Sequence, residues 1–466
     1  MLRLYDTATA KVRPLALRRP GAASLYVCGP TVYDAPHLGH GRFALVFDVL
    51  RRYLVASGLE VTYVSNITDV DDKVIERARQ EGVEPGELAR RYEETWWAAM
   101  DALGVLRPDH VPHATAYVAR MVEVVGELVQ RGVAYEIPDG VYLSTEAVPG
   151  YGLLARQPLD TLRAGARVEA VEAKRSPLDF VLWKKAKPGE PTWPSPWGPG
   201  RPGWHTECVV MSLDLLGEGF DLHGGAIDLI FPHHENERAQ AVALGRDFAN
   251  HWVHNGWVTV AGEKMSKSLG NFTSLDDLLA RGDPRAYRLL VLRAHYRSPI
   301  EVTPETVGQA EAGLARLDEL ARRFHLADPL AVGDPVAVVG EADDEDLDRE
   351  AVARFVERMD DDLDTPGALS GVFELVREAN AAADAGRATD AARTARTVAH
   401  LAAVLGLPLR GVRSAVEDPE VLDLVARRDA ARAERRFADA DALRTELVRL
   451  GWVVEDGPEG TRVRRP

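Results

Sequence analysis

A chain of 466 residues, 46% of them apolar, is long enough for about two or three domains with sizeable cores. No apolar run reaches the roughly eighteen residues of a membrane span, and the N-terminus lacks a signal peptide's apolar stretch, so a cytoplasmic protein without a membrane partner is expected. A net charge of −16 argues against generalised nucleic-acid binding, but the acids cluster at residues 341–348 while the segment from Arg427 onward is slightly basic, so a polyanionic partner stays open.

Residues 2–20 have no clear period and read as an irregular lead-in. Leu25-Tyr26-Val27 reads as a strand, followed by the turn Cys28-Gly29-Pro30 and an apolar run at 43–50 that suits a buried helix. His37 and His40 therefore fall at or just before a helix N-terminus. Unpaired N–H groups there receive phosphate, and a neutral imidazole can donate to it. Gly39 keeps a side chain out of that space. Taken alone, such a His-x-x-His spacing is more often two capping or surface histidines.

A second strand at 59–65 and a helix at 72–79 give the strand–helix alternation of a parallel sheet. The segment between them lies at the carboxyl edge, where ligands bind such sheets, although most of its acids suit helix capping. Helical patterns follow at 85–103 and 113–131, then a hairpin at 133–145 turning at Pro138-Asp139-Gly140. From 151 to 204 the period fails amid prolines and glycines, as in an insertion ending in a loop over the site. Gly203-Trp204-His205-Thr206-Glu207-Cys208 opens a helix, 221–228 reads as a glycine-rich turn, and Phe231-Pro232-His233-His234-Glu235-Asn236-Glu237 opens another helix. His233 and Glu237 share one face of it. A strand is expected at 253–260 and a loop at 262–271, before a helix at 274–280.

Beyond 299 the pattern is helical: 304–324, an acidic connector at 328–344, an antiparallel bundle at 349–405 broken near Pro366, a charged helix pair at 418–450 and a hairpin at 452–464. The expected class is α/β. A Rossmann-type parallel-sheet domain at 1–300, with an insertion at about 115–203, is followed by a helical connector (301–345), an all-α bundle (346–410) and a small C-terminal α+β domain (411–466).

The only two cysteines, Cys28 and Cys208, read as buried free thiols or as a shared metal site rather than a disulfide. With His233 and Glu237 they make a plausible zinc set. Their spacing is far too long for a local zinc finger, and two core cysteines beside a helix-surface His/Glu pair are the plainer alternative.

Two signatures narrow the reading. Residues 30–40 resemble the "HIGH" signature of class I aminoacyl-tRNA synthetases, and Lys264-Met265-Ser266-Lys267-Ser268 matches their "KMSKS" signature residue for residue. More narrowly, Tyr26-Val27-Cys28-Gly29-Pro30-Thr31-Val32-Tyr33-Asp34, Asn66-Ile67-Thr68-Asp69-Val70-Asp71-Asp72-Lys73, Gly203-Trp204-His205 with Glu207-Cys208, and the stretch from Phe231 to Glu237 resemble the cysteinyl-tRNA synthetase family. The resemblance spans essentially the whole chain and weakens in the connectors. Leu38 stands where that family usually has Ile, and Ala226 where a third glycine is common, which bears on the fit around ATP.

The resemblance implies activation of L-cysteine by ATP and transfer to tRNA(Cys), with an anticodon-binding role for the helical bundle; a monomer is assumed, and recognition of the substrate sulfur by zinc should leave no need for an editing domain. It implies one Zn2+ per chain on Cys28, Cys208, His233 and Glu237, Glu237 being the weakest ligand, and Mg2+ accompanying ATP. His37, Gly39 and His40 would meet the phosphates, and Lys264 and Lys267 the leaving pyrophosphate; His37, His40, Lys264 and Lys267 form the catalytic set. Asp228 would hold the ribose, the Trp257-Val258 backbone the adenine, and Gly29, Thr68, Trp204 and His223 the cysteine. Two alternatives stand beside this reading: a cysteine:aminosugar ligase of mycothiol biosynthesis, which resembles the same catalytic domain but has no need of the C-terminal third, and a silent paralogue acting as a zinc- or tRNA-binding module.

Overall fold

The computed structural model describes residues 1–156, 173–260, 263–264, 274–326, 347–411, 419–434, 436–450, 452–457 and 460–464. Its first element corrects an expectation: residues 2–20 are no irregular lead-in but contain an antiparallel hairpin of β1 (Arg3–Asp6) and β2 (Lys11–Pro14). Leu2 and Leu4 reach the core, and a buried carboxylate closes the turn. Asp6 accepts from the N–H groups of Thr9 and Trp252 and from Arg13, local bonding that hydropathy does not register.

β3 (Ala22–Val27), α1 (Leu38–Ala56), β4 (Glu60–Ser65), α2 (Asp72–Glu81) and α3 (Pro85–Ala102) follow the expected alternation. α1 is buried along almost its whole length, as its unbroken apolar run requires. In the inserted region α4 (Val118–Gln130) precedes a four-stranded antiparallel sheet: β5 (Ala134–Ile137), β6 (Gly140–Leu143), β7 (Phe180–Lys185) and β8 (Gly200–Pro202). The expected hairpin is its first half. The second half escapes the sequence because β8 is only a Gly-Arg-Pro edge, paired with Trp183, Lys184 and Lys185 of β7.

The chain then returns through α5 (Trp204–Leu216), β9 (Leu222–Ala226), α6 (Glu235–Ala243) and β10 (His251–Asn255). Strand order is β10-β9-β3-β4, every pair parallel. Here a second expectation fails, since the glycine-rich stretch 221–228 contains a central strand rather than only a turn. A Cβ on Gly224 would lie 2.3 Å from Phe47 Cε1, and one on Gly225 2.7 Å from His234 Cε1. The glycines answer to close approach, not to reversal of the chain.

β11 (Val258–Val260), β12 (Glu263–Lys264), α7 (Leu275–Leu279), α8 (Pro284–Leu292) and β13 (Ile300–Glu301) complete this part. β12, β11 and β13 make a separate mixed sheet, so the strand expected at 253–260 is two strands parted at Gly256-Trp257. α9 (Pro304–Arg323) leads to the antiparallel helices α10 (Arg349–Asp360), α11 (Thr365–Asp384) and α12 (Ala388–Val404). The acidic connector expected at 328–344 lies outside the described residues. One apolar core joins the parallel sheet, α1, α8, α9 and the bundle. A small separate core around Val421, Leu424, Leu447 and Val454 unites α13 (Pro419–Ala433), α14 (Phe437–Arg449) and the hairpin of β14 (Val453–Gly457) and β15 (Gly460–Arg464). Among the described residues no helix is long and apolar enough to cross a membrane.

Candidate active site and metal centre

The carboxyl ends of β3 and β4 pass so closely that a Cβ on Gly29 would stand 1.7 Å from the Asn66 carbonyl oxygen. Glycine alone fits there. Just before it, Cys28 donates its N–H to Gly224 of β9 at 3.2 Å and turns its thiol toward α5 and α6. Its sulfur lies 3.6 Å from that of Cys208 on α5 and 3.4 Å from Glu237 Oε1 on α6. His233, in the kinked turn ahead of α6, places Nε2 3.7 Å from Cys208 Sγ and 2.9 Å from Glu237 Oε1. All four side chains are buried, and their donor atoms lie within 4.8 Å of one another.

Tetrahedral zinc with bonds of about 2.0–2.3 Å would separate its ligand atoms by roughly 3.3–3.8 Å. Three of the four distances match, and the fourth is a direct His233–Glu237 hydrogen bond. Two thiols, an imidazole and a carboxylate thus fit a zinc-sized cation.

Electrostatics agrees with a site built for positive charge. Burial alone would raise the Glu237 carboxyl, but His223 and His233 hold it well below the usual range. Burial would depress His233, yet Glu237 pushes it up to about 9. Burial, with Cys208 and Glu237 beside it, pushes the Cys28 thiol well up. Cys208 is drawn down to about 6, because the hydrogen bond from Cys28 and the neighbouring His233 outweigh burial. A bound cation would compete with the thiol protons for both sulfurs.

Around this set the other expected residues fall at measured places. Trp204 stacks on His233, centroids 3.9 Å apart and planes at 21°. Thr68 donates its hydroxyl to Glu207 at 3.1 Å. His223 is wholly buried behind Glu237, its Nε2 2.7 Å from Oε2, and stacks on Trp252. With Cys28, Glu237 and His234 it forms a second, overlapping donor set. Sequence reasoning gave no role to Asn66, His205 or Glu207. Asn66 accepts from Gly29 N–H at 2.9 Å and donates to Thr68 at 3.1 Å, and His205 Nδ1 lies 2.9 Å from His233 Nδ1. Their adjacency to named residues inside the quoted motifs was the available signal.

The other half of the site is the start of α1. His37 is its N-cap and His40 its third residue, and each Nδ1 accepts the other's backbone N–H at 3.2 Å. The rings stack with centroids 3.7 Å apart. A Cβ on Gly39 would be 2.9 Å from His37 Cε1. Burial pulls His37 down to about 4, and burial together with His37 and Lys73 pulls His40 well below its ordinary value. A neutral ring whose Nδ1 accepts carries its proton on Nε2. The helix therefore begins with two Nε2–H donors and no imidazolium charge. Asp228, in the short turn Ile227–Leu229 after β9, is close enough to His37 to act on it electrostatically. Lys264 is on β12, paired with Thr259 of β11. Lys267 and the rest of its signature lie outside the described residues.

The family model for the class I (C) tRNA synthetase catalytic domain matches residues 15–312. A DALR domain model matches 354–410, and the cysteinyl-tRNA ligase anticodon binding domain matches 417–464. The chain is 46% identical to the cysteine–tRNA ligase of Alkalilimnicola ehrlichii, covering 100% of both chains. It is 46% identical to that of Halorhodospira halophila, again over 100% of each, and 45% identical to that of Anaeromyxobacter dehalogenans, over 99% of this chain and 98% of the relative. In fold alone it is similar to Mycobacterium tuberculosis methionyl-tRNA synthetase in complex with methionyl-adenylate: TM-score 0.55, 18% identity, covering 82% of this chain and 89% of that one.

Proposed function

Because the chain belongs to the cysteine–tRNA ligase family of class I aminoacyl-tRNA synthetases, we propose that it activates L-cysteine with ATP and transfers it to the terminal adenosine of tRNA(Cys). The observation that carries this reading is a buried two-thiol, imidazole and carboxylate cluster on the same sheet edge as a helix that opens with two neutral, proton-donating histidines. In activation a cysteine carboxylate oxygen attacks the α-phosphorus, and the bond to the bridging oxygen breaks with its electron pair leaving on pyrophosphate. Nothing covalent is asked of the protein; it positions groups and stabilises charge.

His37 and His40 donate Nε2–H to phosphate oxygens without needing to be protonated, aided by the α1 N-terminus. Lys264 and Lys267 meet the charge growing on pyrophosphate, Mg2+ accompanies the nucleotide, and Asp228 takes the ribose hydroxyls. Cys28, Cys208, His233 and Glu237 hold one zinc ion, which when bound supplies a soft Lewis acid that prefers a thiolate to a hydroxyl. Gly29, Thr68 and Trp204 line the space for the amino acid, and His223 orients the Glu237 carboxylate behind them. A shape-based pocket would separate cysteine from serine only about a hundredfold, whereas a site whose polar partner is left unmatched reaches about 10⁴–10⁵, so no editing domain is required.

We take residues 1–300 as the catalytic unit, 301–345 as the connector, and 346–410 and 411–466 as the parts that engage tRNA, in a monomer acting in the cytoplasm. The aminosugar-ligase alternative has no use for the C-terminal segments that match the DALR and anticodon-binding models. Cysteine-dependent ATP/pyrophosphate exchange, run beside charging of tRNA(Cys) and of an aminosugar acceptor, tests the reading. Exchange with tRNA charging is expected. Exchange with aminosugar coupling alone, or no exchange, overturns it.

A further inference from the structure

Arg42 is fully buried on α1 just past His40, yet its partners are carbonyl oxygens and not a carboxylate. The guanidinium donates to Trp257 and Ser298, to Tyr296 at 3.0 Å and to His295 at 3.4 Å. Burying a guanidinium against carbonyls alone is an expensive way to stabilise a core. What it achieves is geometric. The carbonyl of Trp257 also accepts from Ile300 of β13 at 2.9 Å, so Arg42 ties α1 to the junction from which β11 departs.

The 295–298 turn is gripped a second time, by Asp362. Tyr296 donates its hydroxyl to Asp362 at 2.8 Å, Arg297 Nε donates to the same carboxylate at 2.9 Å, and Tyr5 N–H at 2.7 Å. Asp362 lies in the corner between α10 and α11, where it and Leu363 both adopt positive φ, 57° and 54°. Such backbone persists only where its surroundings hold it.

Resting on the function proposed above, we infer that Arg42 is a positioning residue for the nucleotide half of the site. It fixes the spacing between the histidine-capped start of α1 and the Trp257–Val260 backbone, and through Asp362 the helical bundle bears on that spacing. The metal half hangs on Cys28, α5 and α6, which neither residue touches.

Arg42→Lys keeps the charge, but a single ammonium cannot span the Trp257 and Ser298 carbonyls. In cysteine-dependent exchange and in calorimetric titration with ATP, it should raise KM and Kd for ATP on the order of tenfold, as expected for losing a charged hydrogen bond. KM for cysteine and zinc content should stay within about twofold, since distant sites act independently. Asp362→Asn, which relaxes the same turn through its second anchor, should give the same ATP-selective signature, at about threefold, and it carries the test if the lysine variant does not fold. The inference is overturned if KM for ATP and for cysteine rise together, or if both stay unchanged while only the melting temperature falls. Absence of exchange in the unaltered protein would instead refute the functional reading.

Discussion

Replacing Asp48 by Asn removes one oxygen at the point where α1, α8 and the end of the bundle meet. The side chain is wholly buried: Oδ2 accepts from Arg52 Nε at 2.8 Å and from Arg288 Nη1 at 2.6 Å, while Oδ1 accepts Leu106 N–H at 2.9 Å. Arg288, 1% exposed, also donates to the carbonyls of Leu103 and Gly104, and at 3.4 Å to Leu405. Asn would keep the bond to Leu106 but turn an NH2 group toward two guanidinium donors, leaving two cations without an anion. Each charged hydrogen bond lost is worth about 1.5–3 kcal/mol, the two share one acceptor and so do not add fully, and breaking a buried ion pair costs about 3–5 kcal/mol. About 4 kcal/mol is therefore expected, or a fall of about 4 °C in the apparent Tm by calorimetry at fixed scan rate, since the unfolding entropy scales with chain length.

The same carboxylate sets an acid limit. Burial would raise it, but Arg288 and Arg52 hold it below its ordinary value. A depressed folded-state value gives a stabilisation that is complete above the unfolded pKa of about 4 and lost as pH falls through the folded one. The Asn variant should lose this part of the acid dependence. Asp48→Leu combined with Arg288→Met should recover part of the loss, since well-packed apolar groups can replace a buried ion pair. A fall of less than about 1 °C for Asp48→Asn, well under the range for breaking a buried pair, would refute the reasoning.

Cys208→Ser should lose more bound zinc than Glu237→Gln by elemental analysis, since zinc favours thiolate; equal losses would contradict the ranking of the ligands. Chelation should cut discrimination between cysteine and serine in exchange from about 10⁴–10⁵ toward about a hundredfold, and unchanged discrimination would remove zinc from the recognition scheme. His37, held near a pKa of about 4, and His40 should show neutral Nε2–H rings in long-range nitrogen–proton spectra from pH 8 to about 5; protonated rings at pH 6 would contradict the donor assignment. Gly224→Ala, aimed at the Phe47 ring, should destabilise by about 1–3 kcal/mol. Gly29→Ala, aimed at a backbone oxygen, should abolish exchange, because no side chain can move to relieve the clash.

The sequence made legible what is written in local periods and caps: α1 from its apolar run, the parallel alternation of β3, α1, β4 and α2, and the three helices of the bundle. It failed where structure is set by contacts far apart in the chain. β9 reads as a turn because the reason for its glycines, the Phe47 ring and His234, is encoded elsewhere. β1 and β2 went unread because Asp6 closes their turn by accepting from Thr9 and also reaches Trp252 of β10. The metal set shows the limit most plainly. Its two sulfurs are 180 residues apart, so neither spacing nor periodicity could join them, and only the family resemblance did. The placing of His223 against Glu237 and the hub at Arg42 had no counterpart in any pattern read from the chain.

Both halves of the site depend on the register of one strand. Val27 pairs with Ser65 on one side and Gly224 on the other, and the ladder runs on past the end of the sheet. Cys28 bonds to Gly224, Thr68 N–H to Pro30 at 3.0 Å, and Val32 N–H to Thr68 at 3.2 Å. These bonds place the Cys28 sulfur beside Cys208 and Glu237 in the candidate metal set, set Thr68 beside Glu207, and deliver the chain to His37 at the head of α1. Side chains alternate along a strand, so a slip of one residue would carry Cys28 to the opposite face. It would also shift Thr68 and the histidine cap in the same movement. One backbone pairing therefore positions both the Cys28 sulfur and the histidine cap, and the close pass of Gly29 over Asn66 leaves that pairing no room for a second register.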